Sequence, residues 1–305
     1  MRLPRLSNRS ALVCARLRLP GTGVGLAMMA IALAGVGGLV WPALVVLVVA
    51  MAMYARVGTV RRDPVEIACP VQGWWMPVHS PADKVPSHGL HAYGQTYAID
   101  LVGDPPDGSR PGFSWWPLAR RPEEFPGFGL PVLAVADGVV VRRHDRERDH
   151  WSRTSWPSLV LLVLEGVREL FGVGRILGNH LVIDHGDGVF SAYAHLRSGT
   201  VSVAVGEAVH AGDRLAECGN SGNSSEPHLH LQLMDHPSAY VAAGLPFTFR
   251  RIEQDGTVGP GVPRNGRRFQ GLGQGQSQGQ GQGQGLGQGL AQAPADASMG
   301  VEGGI

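Results

Sequence analysis

The segment Pro227-His228-Leu229-His230 places two histidines one residue apart in an apolar stretch. In a β-strand the side chains at i and i+2 point to the same face, so His228 and His230 project together. His195 closes a second apolar segment, and Asp100 lies among strand-forming residues in a third. A buried carboxylate needs a partner or a metal. Histidines combined with one aspartate form a nitrogen and oxygen donor set that suits zinc, with a fourth position open for water.

Two more imidazoles precede Asp100, at His88 and His91 in a glycine-containing segment. A zinc ion held by three such side chains lowers the pKa of a bound water towards neutrality and polarises a carbonyl group. Histidines beside the open position that do not bind the metal can hold the water and stabilise a developing oxyanion. The residue types therefore indicate metal-assisted hydrolysis, although a His-x-His pair alone is a weak signal.

The segments that position these residues are short, and turn signals separate them at residues 136–138, 185–188 and 211–213. Short strands at regular spacing predict an all-β domain, which we place at residues 64–254. The exception is the run from 158 to 171, where an apolar start becomes amphipathic. This pattern predicts a single helix packed on the sheet.

The N-terminal region divides by charge. Residues 1–18 carry five arginines and no acidic side chain, whereas residues 19–55 carry no charge at all. A bilayer core of about 30 Å needs roughly 20 apolar helical residues, so the second stretch predicts a transmembrane segment. One tilted span would leave the following chain outside the cytoplasm, and a hairpin turning near residues 35–42 would return it. Both topologies stay open, although the arginines after residue 55 favour the hairpin.

The C-terminal region, residues 255–305, predicts a disordered tail. Gly-Gln repeats fill residues 270–289. A segment with almost no aromatic or β-branched side chains has too little to bury to form a core.

Net charge and cysteine content exclude two classes of protein. With 26 basic and 25 acidic side chains the net charge is +1, which gives no electrostatic reason to expect nucleic-acid binding. Three cysteines are too few for a disulfide scaffold. Cys69 and Cys218 would pair only in an oxidising compartment and with their backbones close together, and the sequence leaves this open.

Several motifs follow one another in a fixed order. They are Asp137-Gly138-Val139-Val140, Asn179-His180-Leu181-Val182-Ile183-Asp184-His185-Gly186, Tyr193-Ala194-His195-Leu196, and Cys218-Gly219-Asn220-Ser221-Gly222 running on to Pro227-His228-Leu229-His230. Over roughly residues 131–234, together with the Asp100 segment, this series resembles the lysostaphin/LytM-type zinc metallopeptidase family. The resemblance implies a mainly β fold, an antiparallel β-sheet groove domain of the duplicated hybrid motif type, with zinc as cofactor. It also implies endopeptidase activity on the stem or bridge peptides of peptidoglycan.

The resemblance also implies roles for individual residues. Asp100 and His230 match zinc ligands of the family. His195 and His228 match its two histidines that assist the water and the oxyanion without binding the metal. The first ligand of the family usually stands four residues before the aspartate, where this chain has Thr96, which cannot replace an imidazole.

Either His88 or His91 would then supply the missing ligand. We favour His88, because Gly89 beside it permits a tight local turn. His91 stays the alternative, and if it is not a ligand it would support the metal site from outside or face the substrate.

A second departure from the family is an insertion at about residues 142–177, where typical members connect more briefly. Its beginning is densely charged, and it contains the predicted helix. The insertion either shapes or covers the groove, or has no role in function. The pairs Trp74-Trp75 and Trp115-Trp116 are expected to pack in the core or loops rather than to stack on sugars.

We therefore expect a zinc metalloendopeptidase at the cell membrane, with its catalytic domain outside the cytoplasm and peptidoglycan peptides as substrate. The sequence does not show whether a regulatory protein binds it. The rival interpretation is a non-catalytic LytM-like module that binds peptidoglycan or regulates a separate hydrolase. Thr96 favours this rival, whereas the retained His195, His228 and His230 favour catalysis. A third interpretation, a cytoplasmic metalloprotein behind a membrane hairpin, depends on the topology.

Overall fold

The computed structural model describes residues 8–56, 60, 62–158 and 173–273. At the N-terminus, helix α1 (Asn8–Leu33) and helix α2 (Val40–Arg56) are separated by a short 3-10 turn at Gly37–Leu39. In this described part of the chain, no helix combines the length and the apolar character needed to cross a membrane. The predicted transmembrane segment and membrane partner are therefore not supported, because the uncharged run is divided between two helices and the first begins among arginines.

The rest of the described chain folds mainly as β-strands. They are β1 (Val65–Ile67), β2 (Gly73–His79), β3 (Ile99–Gly103), β4 (Pro131–Leu133), β5 (Gly138–His144), β6 (His180–Asp184), β7 (Phe190–Ala194), β8 (Ala208–Val209), β9 (Arg214–Glu217), β10 (Leu229–Met234), β11 (Gly244–Leu245), β12 (Phe247–Gln254), β13 (Thr257–Gly261) and β14 (Phe269–Gly271). The helical elements here are short: α3 (Val173–Leu177) and 3-10 turns at Ala92–Tyr97 and Pro122–Glu124. The prediction of a mainly β domain is confirmed.

Twelve of these strands form one sheet in the order β1-β12-β14-β2-β3-β10-β7-β6-β5-β8, with β11 beside β10 and β13 beside β12. Strands β4 and β9 pair separately. Among the described strands of the large sheet, the pairs are antiparallel except for β1 with β12, which run parallel. The sheet is thus mixed rather than wholly antiparallel as predicted. Strands far apart in sequence need no hairpin between them, so they can lie side by side in either direction.

The centre of the sheet is buried on both faces. All residues of β3 and β10 are buried, and Leu101, Leu229 and Leu231 are completely inaccessible. Burial stabilises apolar side chains by about 25 cal/mol per Å², so these strands are firmly held. A polar side chain on them must find its partners among its immediate neighbours.

The sheet extends beyond the predicted end of the domain. Strands β13 and β14 follow Gln254, and β14 pairs with both β12 and β2, burying Phe269 completely. The predicted start of the tail at residue 255 is therefore too early, because these strands lack the apolar alternation that marks a strand in sequence. The remainder of the predicted tail, residues 274–305, lies outside the described residues.

The predicted insertion is described only in part. After β5 the chain forms an irregular segment at residues 145–158 and resumes at α3. The predicted helix over 158–171 lies outside the described residues apart from its first position.

The cysteines form no disulfide bond. All three cysteines are free, so Cys69 and Cys218 do not pair. Burial raises the pKa of the Cys69 thiol to about 12 and also raises that of Cys218.

Trp75 is fully buried, whereas Trp115 and Trp116 lie exposed in the connection between β3 and β4.

Candidate functional site

Asp100 and His230 face each other at the centre of the sheet. They occupy directly opposed positions on β3 and β10, and opposed residues of an antiparallel pair point to the same face. Asp100 Oδ1 lies 2.8 Å from His230 Nδ1, and both side chains are buried. The register of two buried strands therefore fixes this pair.

His88 completes a three-residue cluster from the connection between β2 and β3. Its Nε2 lies 2.8 Å from Asp100 Oδ2, and the candidate ligand atoms of His88, Asp100 and His230 all lie within 4.8 Å of one another. Tetrahedral zinc with bonds of about 2.1 Å places its ligand atoms about 3.4 Å apart, so donor types and spacing fit this ion. The ligand roles of the three side chains stay a prediction.

His91 has a different environment. Its Nδ1 lies 3.1 Å from Thr96 Oγ1, and its carbonyl oxygen accepts a hydrogen bond of 2.6 Å from the buried guanidinium of Arg18 on α1. Burial, and then the positive charge of Arg18, lower the pKa of His91. The structure thus brings His88, and not His91, to Asp100. The side chain at the family's usual ligand position, Thr96, contacts the His91 ring instead.

His195 and His228 stand beside the cluster, with ring centres 4.5 Å apart. His195 directly follows β7 and has a φ of 61°, a conformation that non-glycine residues adopt at a cost and that recurs at functional sites. Its Nδ1 donates a hydrogen bond of 2.9 Å to the Ser221 carbonyl oxygen. Because a carbonyl oxygen only accepts, Nδ1 carries the hydrogen and Nε2 of the neutral ring keeps a lone pair.

A hydrogen bond from Nδ1 to a backbone carbonyl also orients His228, which lies just before β10. Its Nδ1 donates to the Glu226 carbonyl oxygen at 2.8 Å and lies 3.0 Å from Ser224 Oγ. Its Nε2 lies 3.8 Å from Asp100 Oδ1 and so faces the cluster. Two imidazoles with fixed tautomers therefore flank the candidate metal ligands.

The charges in this cluster are strongly coupled. Burial raises the pKa of Asp100, but the surrounding imidazoles of His88, His228 and His230 outweigh burial and hold it well below its usual range. Burial lowers the pKa of His230, but the Asp100 carboxylate outweighs this effect and raises it. Burial lowers the pKa of His195 well below its usual range, and the two neighbouring histidines lower it further. His195 is therefore neutral near pH 7, with a lone pair on Nε2.

Two residues at the site were not predicted from the sequence. Gln232 Oε1 accepts a hydrogen bond of 2.9 Å from His230 Nε2, which fixes the ring and leaves Nδ1 facing Asp100. Gln232 continues the i, i+2 spacing of His228 and His230, and that spacing was the available signal. His79 lies opposite Asp100 in the register of β2 and β3, with its ring 4.8 Å from that of His88. A single histidine at a strand end gives no signal of its own.

Comparisons with known proteins place this geometry in context. Residues 125–241 match Peptidase family M23. The catalytic domain of lysostaphin from Staphylococcus simulans is 20% identical, with 55% of this chain and 84% of that domain covered and a TM-score of 0.29. A mutant catalytic domain of a prophage-encoded M23 protein from Enterococcus faecalis is 16% identical, covering 61% of this chain and 91% of that one, with a TM-score of 0.30.

A zinc-containing peptidase from Vibrio cholerae is 20% identical, with a TM-score of 0.28. The match covers 59% of this chain and 37% of that longer protein. The segment that matches the family includes His195, His228 and His230, whereas His88 and Asp100 precede it. The sequence of this segment is thus similar to peptidase family M23, in agreement with the resemblance of its motifs to the lysostaphin/LytM-type family.

Proposed function

We propose that this chain is a zinc metalloendopeptidase that hydrolyses peptide bonds of peptidoglycan. The observation that carries the proposal is the cluster of half-buried His88 with buried Asp100 and His230, with His195 and His228 beside it. Three mixed nitrogen and oxygen ligands with a further position for water are the arrangement of catalytic rather than structural zinc sites.

The metal and the protein would divide the work of hydrolysis. Zinc, when bound, supplies Lewis acidity that polarises the scissile carbonyl and eases ionisation of the attacking water. His88, Asp100 and His230 would hold the ion, and Gln232 would keep the His230 ring in place through its Nε2 hydrogen.

The two flanking histidines would handle protons. Because Nδ1 of His195 donates to a backbone carbonyl, Nε2 is the atom that takes a proton from the water. Once protonated, that nitrogen becomes a donor that can pass the proton to the leaving amine. His228, oriented through Glu226, presents its Nε2 to the same space and can support the developing oxyanion when it carries a proton.

The proposed substrate also carries a proposal about location. Peptidoglycan peptides lie outside the cytoplasm, so we place the catalytic domain there. The family match and the order of the sequence motifs support this substrate class.

The test is release of soluble peptide fragments from purified cell-wall sacculi by the full chain. We expect release that stops when a zinc chelator is added and returns when zinc is restored. An Asp100→Ala chain serves as the matched inactive control. If the wild-type chain binds one zinc ion and binds sacculi but releases nothing under any condition, the proposal is wrong. The non-catalytic binding or regulatory module would then be the better interpretation.

A further inference from the structure

The insertion contacts both backbone segments that surround His195. Its Asp149 carboxylate accepts two backbone hydrogen bonds, from Asn220 N to Oδ1 at 2.6 Å and from Ser198 N to Oδ2 at 3.0 Å. Ser198 lies three residues after His195, and Asn220 directly precedes Ser221, whose carbonyl accepts from the His195 ring. One side chain of the insertion therefore ties together the two loops that determine where His195 lies.

The residue next to Asp149 strengthens this connection. The backbone N–H of His150 donates to the Asn220 carbonyl at 3.2 Å, and the Asn220 amide donates back to the His150 carbonyl at 2.7 Å. The His150 ring donates through Nε2 to the Gly222 carbonyl at 2.9 Å. Asn220 is completely buried, so these bonds are shielded from water.

The loop held by the insertion, residues 219–222, is also the loop that orients His195. Ser221 Oγ donates to the Leu196 carbonyl at 2.8 Å, and the Ser221 carbonyl accepts from His195 Nδ1. The left-handed backbone conformation of His195 is costly for a residue with a side chain, so surrounding contacts must impose it. A shift of the loop would move the carbonyl that fixes the ring and its tautomer.

We propose that Asp149 is a positioning residue for His195. The insertion acts as a strap that holds the 219–222 loop against the end of β7, and through Ser221 it sets the orientation of the imidazole. This inference rests on the proposed function for its catalytic consequence, whereas the geometry of the ring can be tested without any activity.

Asp145 provides a matched control within the same insertion. Its carboxylate also accepts two backbone hydrogen bonds, from Gly199 N at 2.8 Å and from Val201 N at 3.3 Å. Neither bond reaches the 219–222 loop. Each variant therefore removes two backbone hydrogen bonds, and Asp145→Ala also removes an ion pair with Arg143 at 3.5 Å. Only Asp149→Ala removes a bond to the 219–222 loop, where the contacts of His150 remain.

The first readout is the NMR resonance of the hydrogen on His195 Nδ1. It is measured by proton–nitrogen NMR of the full chain with labelled histidine, and comparison with His195→Gln assigns it. We expect this resonance to be protected from solvent exchange in the wild type and in Asp145→Ala. In Asp149→Ala it should broaden or exchange rapidly. Asp149→Asn keeps one acceptor oxygen and should restore part of the protection.

The second readout is sacculus hydrolysis. A displacement of about 1 Å in a catalytic group can cost about 100-fold in rate, so we expect Asp149→Ala to lower kcat about 10- to 100-fold. KM and zinc stoichiometry should stay near wild type, because the three candidate ligands lie on other elements. Asp145→Ala should keep most of the wild-type kcat.

The outcomes separate this inference from the proposed function. An unchanged His195 resonance in a folded Asp149→Ala chain overturns the positioning role, whatever the activity. Equal changes in Asp145→Ala and Asp149→Ala also overturn it, since the effect would then be a general loss of stability. If the wild-type chain hydrolyses nothing, the proposed function is wrong, but the NMR comparison still decides whether Asp149 positions His195.

Discussion

The candidate metal centre is built from two unlike regions. Asp100 and His230 lie on neighbouring central strands, where register and burial place them opposite each other. His88 instead comes from the irregular connection between β2 and β3, and no strand pairing holds it. A ligand on a strand is thus fixed by the fold itself, whereas a ligand on a loop depends on contacts made by the rest of that loop.

Those contacts come from within the loop and from distant parts of the chain. The backbone N–H of Ser87 donates to the Thr96 carbonyl at 3.1 Å, which closes the loop on itself. A side-chain carbon at Gly244 would stand only 2.6 Å from the Gly94 carbonyl oxygen, so glycine is required for this close approach. Arg18 of α1 donates to the carbonyls of His91 at 2.6 Å and Ala242 at 3.0 Å. The N-terminal helix therefore helps to hold the loop that carries His88.

The largest effect should come from the strand-held carboxylate. Asp100→Ala removes the one group that both candidate histidine ligands contact, so we expect loss of bound zinc and of sacculus hydrolysis. Loss of a residue that only hydrogen-bonds a metal ligand typically lowers metal affinity about 10- to 100-fold. Because Asp100 is itself a candidate ligand, its loss should lower zinc affinity by more than that. Metal analysis after dialysis, combined with the hydrolysis assay, measures both.

Asp104→Ala is the control for this change. Asp104 is also buried, lies just after β3 and pairs with Arg268 at 2.6 Å, but it has no contact with the candidate ligands. The Asp104→Ala substitution should lower the free energy of unfolding and leave zinc binding intact. Retention of stoichiometric zinc by Asp100→Ala would show that the metal binds elsewhere.

The next effect concerns the choice between the two loop histidines. We expect His88→Ala to weaken zinc binding by at least about 100-fold, because no other described side chain reaches Asp100 from that loop. His91→Ala should keep one zinc ion per chain and lose about 1 kcal/mol of stability, typical of a buried substitution. Zinc titration of the two variants decides the matter, and the reverse pattern would assign the ligand role to His91.

The smallest effect on the metal should come from the N-terminal helix. Arg18→Met leaves two buried carbonyls without their guanidinium donor, so the free energy of unfolding should fall by about 2 kcal/mol or more. Zinc affinity should fall less than about 10-fold, since His88 itself is untouched.

Arg16→Met is the comparison for this prediction. Arg16 lies on the same helix and pairs with Asp235 at 2.7 Å, but its side chain is about a third exposed. Asp235 is mostly buried and Arg16 also donates to the Val241 carbonyl, so this variant should lose some free energy of unfolding in urea, but less than Arg18→Met does. Equal losses in the two variants would mean that Arg18 has no special part in holding the loop.

The same division explains what the sequence could predict. The strand period placed His228 and His230 on one face, and the apolar surroundings of Asp100 marked it as a buried acid that needs partners. The preference for His88 over His91 rested on Gly89 alone, because the contacts that arrange this loop, those of Arg18 and of Gly94 with Gly244, join residues far apart in sequence.

Two other parts of the fold could not be predicted from the sequence, for physical reasons. Strands β13 and β14 contain glycine and few apolar residues, and their partner strands rather than their own side chains make them strands. The contacts of the insertion pass mainly through backbone N–H and C=O groups, for example those of Asn220 and Gly222, and backbone groups leave no mark in a sequence.

The position of β14 constrains the order in which the protein can fold during its synthesis. Because β14 lies between β12 and β2 in the sheet, the edge formed by β12 and β1 cannot join the centre until residue 271 has been made. Strands β2, β3 and β10, which with the β2–β3 connection hold the candidate metal ligands, are complete at Met234, 37 residues before Gly271, roughly two seconds or more at the usual rate of translation. During that interval one side of β2 is an open edge, able to pair with other chains until the last strand closes it.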